Sequence, residues 1–337
     1  MRTATAEKQH IRSLILSNRL AAAQQPTVVF FNGLGDHLLT LPALRALTHV
    51  FPDRLKLACV PYALPLFFAN LPVKSTCDVN LTSVVGEDVL FDADDLAHRI
   101  GKCDVLIYLN RALSDSALRL LKLVAPDASI GFFPNFTDPI EFPSNIHSAD
   151  LAFAAPRLLQ PWLKIDSFCE PLELPPDSIE IAVSLRSQLP PEARLLVLHT
   201  ETLTEKMWSL ARFQRVLQEF QQRHPEFWIF VIDRRQPNLS VDRMVSCCGL
   251  PLATAFAIVS QADYFLGIDS CFLHAADMFG VPGVGLFGPT SPKEFGFRFS
   301  KGISLRYGNT MDTLTEGPVL EALTALIGAK KKGRLSP

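Results

Sequence analysis

What most constrains this chain is a rhythm: apolar runs of strand length alternate with helix-period segments, and a proline-rich stretch divides the series in two. Four runs, Thr27–Phe31, Leu55–Val60, Asp104–Leu109 and Ser129–Phe133, precede the stretch Pro161–Pro191. Four more, Leu195–His199, Phe227–Ile232, Tyr264–Ile268 and Val284–Phe287, follow it. Continuous apolar runs suit parallel strands covered on both faces, because neither face is left to water. Helical periodicity marks Leu38–Val50, Ser209–Arg223 and Ala253–Gln261, and one further helix, Asp177–Gln188, lies within the linker. Such alternation implies right-handed crossovers and doubly wound sheets. At 337 residues the chain exceeds the length at which one core usually divides, so two domains are expected, 1–165 and 166–337. The fold class is therefore α/β: two Rossmann-like, doubly wound parallel-sheet domains facing a cleft.

Composition removes several alternatives. Hydrophobic residues make up 48% of the chain and charged residues 20%, as in globular rather than disordered proteins. The formal net charge is −2 and no basic block interleaves with aromatics, which argues against a nucleic-acid partner. The basic run Lys330-Lys331-Lys332 reads as a solvated tail. Seven cysteines without a C-x-x-C pair fit reduced thiols in a cytoplasmic protein. Residues Met1–His10 lack the apolar run of a secretory signal, and the most apolar segment, Leu57–Val73, is broken by Pro61, Pro65 and Pro72. At most peripheral membrane contact is expected.

Three motifs carry polar side chains at the ends of these elements, where open α/β sheets bind ligands. The first, Phe31–Leu47, runs from a strand through a glycine turn into a helix. Gly33 and Gly35 would let the backbone take unusual dihedrals and approach a ligand. Asp36, at the helix entrance, reads either as a helix cap or as a general base. The turn is not a dinucleotide fingerprint, since Leu38 stands where G-x-G-x-x-G needs a glycine. The second motif is His199–Trp208. Its hydroxyls at Thr200, Thr202 and Thr204 and the Lys206 ammonium suit phosphate oxygens, and Trp208 suits burial as an anchor for the following helix. The third is Phe265–Thr290. Asp269 suits sugar hydroxyls, Gly285 and Gly288 permit close approach, and Gly288-Pro289-Thr290 would start an anion-binding helix. His274 reads equally as a ligand contact or a buried core residue. No motif has metal-ligand spacing, so no metal and no cofactor are expected.

Together these residues resemble glycosyltransferase family 9, the heptosyltransferase-like enzymes with two Rossmann domains in the GT-B arrangement. Gly35-Asp36 followed by Leu39-Thr40-Leu41-Pro42-Ala43-Leu44-Arg45 is similar to the family's N-terminal motif. His199-x-x-Thr202-x-x-x-Lys206-x-Trp208 is similar to its phosphate loop. Asp269-Ser270-x-x-x-His274-x-Ala276, Gly280-Val-Pro282 and Phe287-Gly-Pro-Thr290 are similar to its C-terminal signature, and Gly249 and Leu252 also fit. The resemblance implies an inverting, metal-independent transferase with Asp36 as catalytic base. It implies that Lys206 and Thr202 contact the donor's phosphates and sugar, that Asp269 binds the transferred sugar, and that Gly288, Pro289 and Thr290 support the nucleotide end; Ser270 and His274 are further expected donor-binding residues. The usual donor is an ADP-linked heptose, and the partner is a hydroxyl-bearing acceptor. Two positions depart from the pattern: Cys271 stands where a small residue is common, and Glu201 stands where a second phosphate-binding threonine can occur. A carboxylate at 201 is expected to repel a diphosphate.

The implied chemistry is coherent with these residue types. Glycosyl transfer passes through an oxocarbenium-like transition state. General-base help is worth about 10²–10⁴-fold, so stabilising the departing diphosphate must supply the larger share. Residues 1–165 hold 15 Lys+Arg and 15 Asp+Glu, a net charge of zero with no long-range pull toward an anionic surface. The acceptor is therefore expected to be less anionic than lipopolysaccharide inner core, such as a small-molecule or secondary-metabolite scaffold. Two other readings use the same residues: a sugar-nucleotide epimerase, and a sugar-nucleotide-binding protein without catalysis.

Overall fold

The structure is a computed structural model and describes residues 20–85, 88–141 and 144–332. The readings of Met1–His10 and of the Lys330–Lys332 side chains fall outside the described residues. The chain divides into two compact units, Met1–Cys169 and Glu170–Pro337, with the division inside the proline-rich stretch.

Unit 1 begins with β1 (Pro26–Val29), α1 (Leu34–Val50), β2 (Lys56–Cys59) and β3 (Ser75–Asp78). An antiparallel hairpin, β4 (Leu81–Val85) and β5 (Asp88–Phe91), interrupts the alternation. It continues through α2 (Ala93–Ile100), β6 (Val105–Tyr108), α3 (Asp115–Val124), β7 (Ala128–Gly131), β8 (Asp138–Pro139) and α4 (Ser148–Leu159). The sheet order is β3-β2-β1-β6-β7-β8 and every pair is parallel.

Unit 2 opens with α5 (Pro176–Ser187), then β9 (Arg194–His199), α6 (Leu210–Arg223), β10 (Phe227–Val231) and β11 (Met244–Ser246). It closes with α7 (Leu252–Ser260), β12 (Tyr264–Ile268), α8 (Cys271–Met278), β13 (Gly283–Leu286), α9 (Pro292–Phe295), β14 (Gly302–Leu305) and α10 (Glu316–Lys332). Its order, β11-β10-β9-β12-β13-β14, is again wholly parallel. Both sheets thus have the doubly wound order third-second-first-fourth-fifth-sixth, which places a switch point between β1 and β6 and another between β9 and β12.

The expected apolar runs became the central strands because both their faces are covered. Every residue of β1, β6, β10 except Trp228, and β12 is buried. Each such Val, Leu, Ile or Phe side chain contributes about 1.5–3 kcal/mol of burial, so the strand ends are fixed points and variation falls to the loops. Each unit also pins the entry of its first strand with an aspartate placed just before its fourth. Asp104 accepts from the amides of Gln24 at 2.6 Å and Gln25 at 3.0 Å, and Asp263 accepts from the Leu195 amide at 2.9 Å.

Candidate functional site

In unit 2 the carboxyl ends of β9, β12 and β13 bring four of the expected residues together. Asp269 follows β12, and its side chain is only 5% exposed. One carboxylate oxygen accepts from Lys206 Nζ at 2.8 Å and from Thr290 Oγ1 at 2.7 Å. The other lies 3.7 Å from His274 Nε2, on α8. The Thr202 hydroxyl reaches the Asp269 carbonyl at 3.5 Å. A carboxylate this buried needs cationic and hydrogen-bonding partners, and here it has both. Lys206 closes a single 3₁₀ turn, Thr204–Lys206. That turn is held by Trp208, whose buried indole donates to the Leu314 carbonyl at 2.9 Å and meets Phe213 edge-on. An ammonium has three donors, and Lys206 spends one on Asp269, so a ligand's oxygens can share the others.

Other expected contacts serve the protein instead. Thr200 is buried, and its hydroxyl donates to Asp233 at 2.5 Å, so it does not face a phosphate. Ser270 caps α8 by accepting from the Phe272 amide at 3.3 Å. Gly288-Pro289-Thr290 does not start a helix: the nearby α9 begins at Pro292 and is one turn of four residues. Gly288 is required for packing, since a Cβ there would stand 2.8 Å from the Met311 backbone nitrogen. Pro289 is exposed. Glu201 turns away from the Lys206 cluster to accept from the Arg234 amide at 2.9 Å. Burial pushes the Cys271 thiol up to about 12, outweighing the amides at the helix start that favour its thiolate, so it stays protonated. Gly249 takes the left-handed conformation (φ +73) just before α7.

Sequence reasoning missed Asp233, because an isolated acid after an apolar run carries no spacing signal. It is buried beside His199, whose Nδ1 is 2.8 Å from its carboxylate. Burial pushes its pKa up, but the His199 and Thr200 contacts prevail and hold it below the usual carboxylate range.

In unit 1, Asp36 lies in the first turn of the 17-residue α1, where the helix dipole favours a negative charge. The cap position belongs to Gly33, which is extended (φ −63, ψ 162), and Gly35 lies within the helix. Neither glycine adopts the left-handed conformation, so the expected unusual dihedrals are absent. A Cβ on Gly33 would meet only the Asp36 carboxylate, at 3.4 Å. Asp36 lines a shallow pocket with Asn32, Thr40, Arg111 and Ser148, and Arg111 donates to the Ser148 hydroxyl at 2.9 Å. Beside it, Tyr62 donates to the Asn32 carbonyl at 3.2 Å; burial and then the Asp36 charge raise its phenol pKa.

The next residue, His37, is wholly buried among Phe30, Tyr62, Phe67 and Phe68. Its Nδ1 lies 2.8 Å from the Gly33 carbonyl, so the neutral ring donates there and closes the turn that carries Asp36. Burial lowers its pKa to about 4 against that hydrogen bond. Among the described residues no group of three or more His, Cys, Asp or Glu side chains is arranged to hold a metal, and no helix is long and apolar enough to cross a membrane.

Two doubly wound parallel units, one with an acid–lysine–threonine cluster at its switch point, define the class: a GT-B-type glycosyltransferase fold. Within that class, residues 185–322 match glycosyltransferase family 9 (heptosyltransferase). Over nearly the whole chain the fold is similar to a glycosyl transferase family 9 protein from Veillonella parvula DSM 2008, at 18% identity and TM-score 0.72, covering 91% of this chain and 97% of that one. It is also similar to the E. coli ADP-heptose lps heptosyltransferase II, at 15% identity and TM-score 0.66, covering 91% and 99%. The E. coli heptosyltransferase WaaC with ADP aligns at 16% identity and TM-score 0.62, covering 90% and 99%. None of the curated proteins compared matches the sequence.

Proposed function

We propose that this chain is an inverting glycosyltransferase that moves a sugar, first of all an ADP-linked heptose, from a nucleotide diphosphate donor to an acceptor hydroxyl. The observation that carries this reading is the Lys206–Asp269–Thr290 cluster, set at the switch point of the unit that matches family 9. Unit 2 binds the donor and unit 1 the acceptor. Asp36 takes the proton of the acceptor hydroxyl, whose oxygen bonds to the sugar's anomeric carbon on the face opposite the leaving group. The bond from that carbon to the diphosphate oxygen breaks, and the nucleoside diphosphate leaves with the electron pair. Lys206 and the Thr202 hydroxyl meet the charge that develops on it, while Asp269 orients the sugar hydroxyls. No metal or cofactor is assigned a step. The acceptor is a weakly anionic or neutral molecule, consistent with the zero net charge of residues 1–165 (15 Lys+Arg against 15 Asp+Glu). The reaction is placed in the cytoplasm.

Two measurements test this. ADP and ADP-linked sugars at 100 times their dissociation constant should stabilise the protein by about 2.7 kcal/mol, and no shift with any of them would remove the donor assignment. Asp36→Asn should lower kcat by about 10²–10⁴-fold with donor affinity unchanged, and unchanged turnover would show that Asp36 is not the base.

A further inference from the structure

At the carboxyl ends of β9 and β10, two acids hold each other's loops. Buried Asp233, after β10, accepts from the amides of Thr200 at 2.8 Å and Glu201 at 3.2 Å. Glu201, after β9, returns the arrangement. One of its oxygens accepts from the amides of Arg234 at 2.9 Å and Arg235 at 3.3 Å, and the other accepts from the Arg234 guanidinium at 3.1 Å. Two successive amides converging on one oxygen form a backbone anion nest. Here the nest is filled from within the chain.

We propose that Glu201 is a positioning residue for donor binding. By filling the nest it fixes the start of the 200–206 loop, and with it the Thr202 hydroxyl and Lys206 ammonium that reach Asp269. The role rests on the donor assignment given above. It reverses the sign expected of a carboxylate placed beside a diphosphate. If the Glu201 charge faced the phosphates, deleting it would tighten binding; if Glu201 holds the loop, deleting it orphans two amides and loosens binding.

Calorimetric titration with ADP distinguishes the two. Glu201→Ala should weaken ADP binding by about tenfold, a hydrogen-bond-sized loss. Glu201→Gln retains a carbonyl oxygen for the two amides and should stay within about threefold. Arg234→Ala should also stay within about threefold, because its side chain is 87% exposed and exposed ion pairs contribute little. ADP binding that is unchanged or tighter in Glu201→Ala overturns the proposal, as does an equal loss in Glu201→Gln.

Amide hydrogen exchange reads the clamp without any ligand: the Arg234 and Arg235 amides should exchange about tenfold faster in Glu201→Ala and remain protected in Glu201→Gln. Wild-type protein that protects these amides yet fails to bind ADP would sink the donor assignment and the positioning role with it, leaving a clamp that is structural only. Wild-type protein that binds ADP with unprotected amides would sink the clamp alone.

Discussion

Asn110 and Asp269 stand at the same station in the two sheets. Each comes six residues after the aspartate, Asp104 or Asp263, that pins the first strand's entry. Asn110 is turned inward: its carbonyl accepts from the Phe31 amide at 2.8 Å, and its amide donates to the Val29 carbonyl at 3.3 Å. Asp269 instead gathers Lys206 and Thr290 from neighbouring loops. Three of the buried histidines divide in the same way. His37 sits in an aromatic enclosure against a backbone carbonyl, whereas His199 and His274 lie beside carboxylates. One topology therefore serves two electrostatic tasks. At the switch point of unit 1 an amide pairs with the backbone, and at that of unit 2 an acid pairs with a lysine and a threonine.

Exchanging the two residues is the severest way to break this comparison. Asn110→Asp would bury a carboxylate against the Val29 carbonyl oxygen, and should cost about 3 kcal/mol in chemical denaturation. The reverse change, Asp269→Asn, should leave unit 2 folded while weakening ADP-linked heptose by about thirtyfold, because an amide neither fixes Lys206 in place nor accepts from the sugar hydroxyls as the carboxylate does. Equal effects on folding would mean that the two stations are equivalent.

The histidines provide a second test. His37 has a folded pKa near 4 against an ordinary 6.5, so the unfolded chain takes up its proton first as pH falls. Its contribution is intact at pH 7, declines below about 6.5 and is lost by about 4. Stability should drop by about 2 kcal/mol between pH 7 and pH 5, and His37→Phe should flatten that part of the profile. An unaltered pH profile in the variant would assign the titration elsewhere. The smallest effects concern the helices that follow the two stations. Ser114 accepts from the Ala117 amide at 3.4 Å and Ser270 from the Phe272 amide at 3.3 Å. Replacing either with alanine should cost about 1 kcal/mol in thermal unfolding. A further loss of ADP-linked heptose affinity in Ser270→Ala alone would show that its hydroxyl also meets the ligand.

The central strands were legible because burial on both faces writes itself as an unbroken apolar run. The edge strands were not. Ser75–Asp78 is largely exposed, Met244–Ser246 has three residues and Asp138–Pro139 two, so none offers a periodic pattern. Gly302–Leu305 begins with a glycine that yields to Phe297, which a Cβ there would meet at 2.0 Å. In the site, Lys206, Thr202, Asp269 and Thr290 were recognisable as polar groups at strand ends. What escaped the sequence was the direction in which neighbouring groups turn. Glu201 appeared as a charge aimed at phosphate because its partner, Arg234, lies 33 residues away in the loop after another strand. Thr200 appeared as a ligand because Asp233 is equally distant. Side-chain partners across a sheet are set by strand order, which periodicity does not encode.

The reciprocal hold between Glu201 and Asp233 has a consequence for anyone recombining proteins of this fold. Neither the loop after β9 nor the loop after β10 is a separable module, since each supplies the acid that satisfies the other's amides. A chimera that imports one loop alone inherits a carboxylate or an anion nest with no counterpart. Imported together, residues 199–206 and 233–235 form one transplantable piece, although two thirds of a strand–helix–strand unit separates them in the sequence.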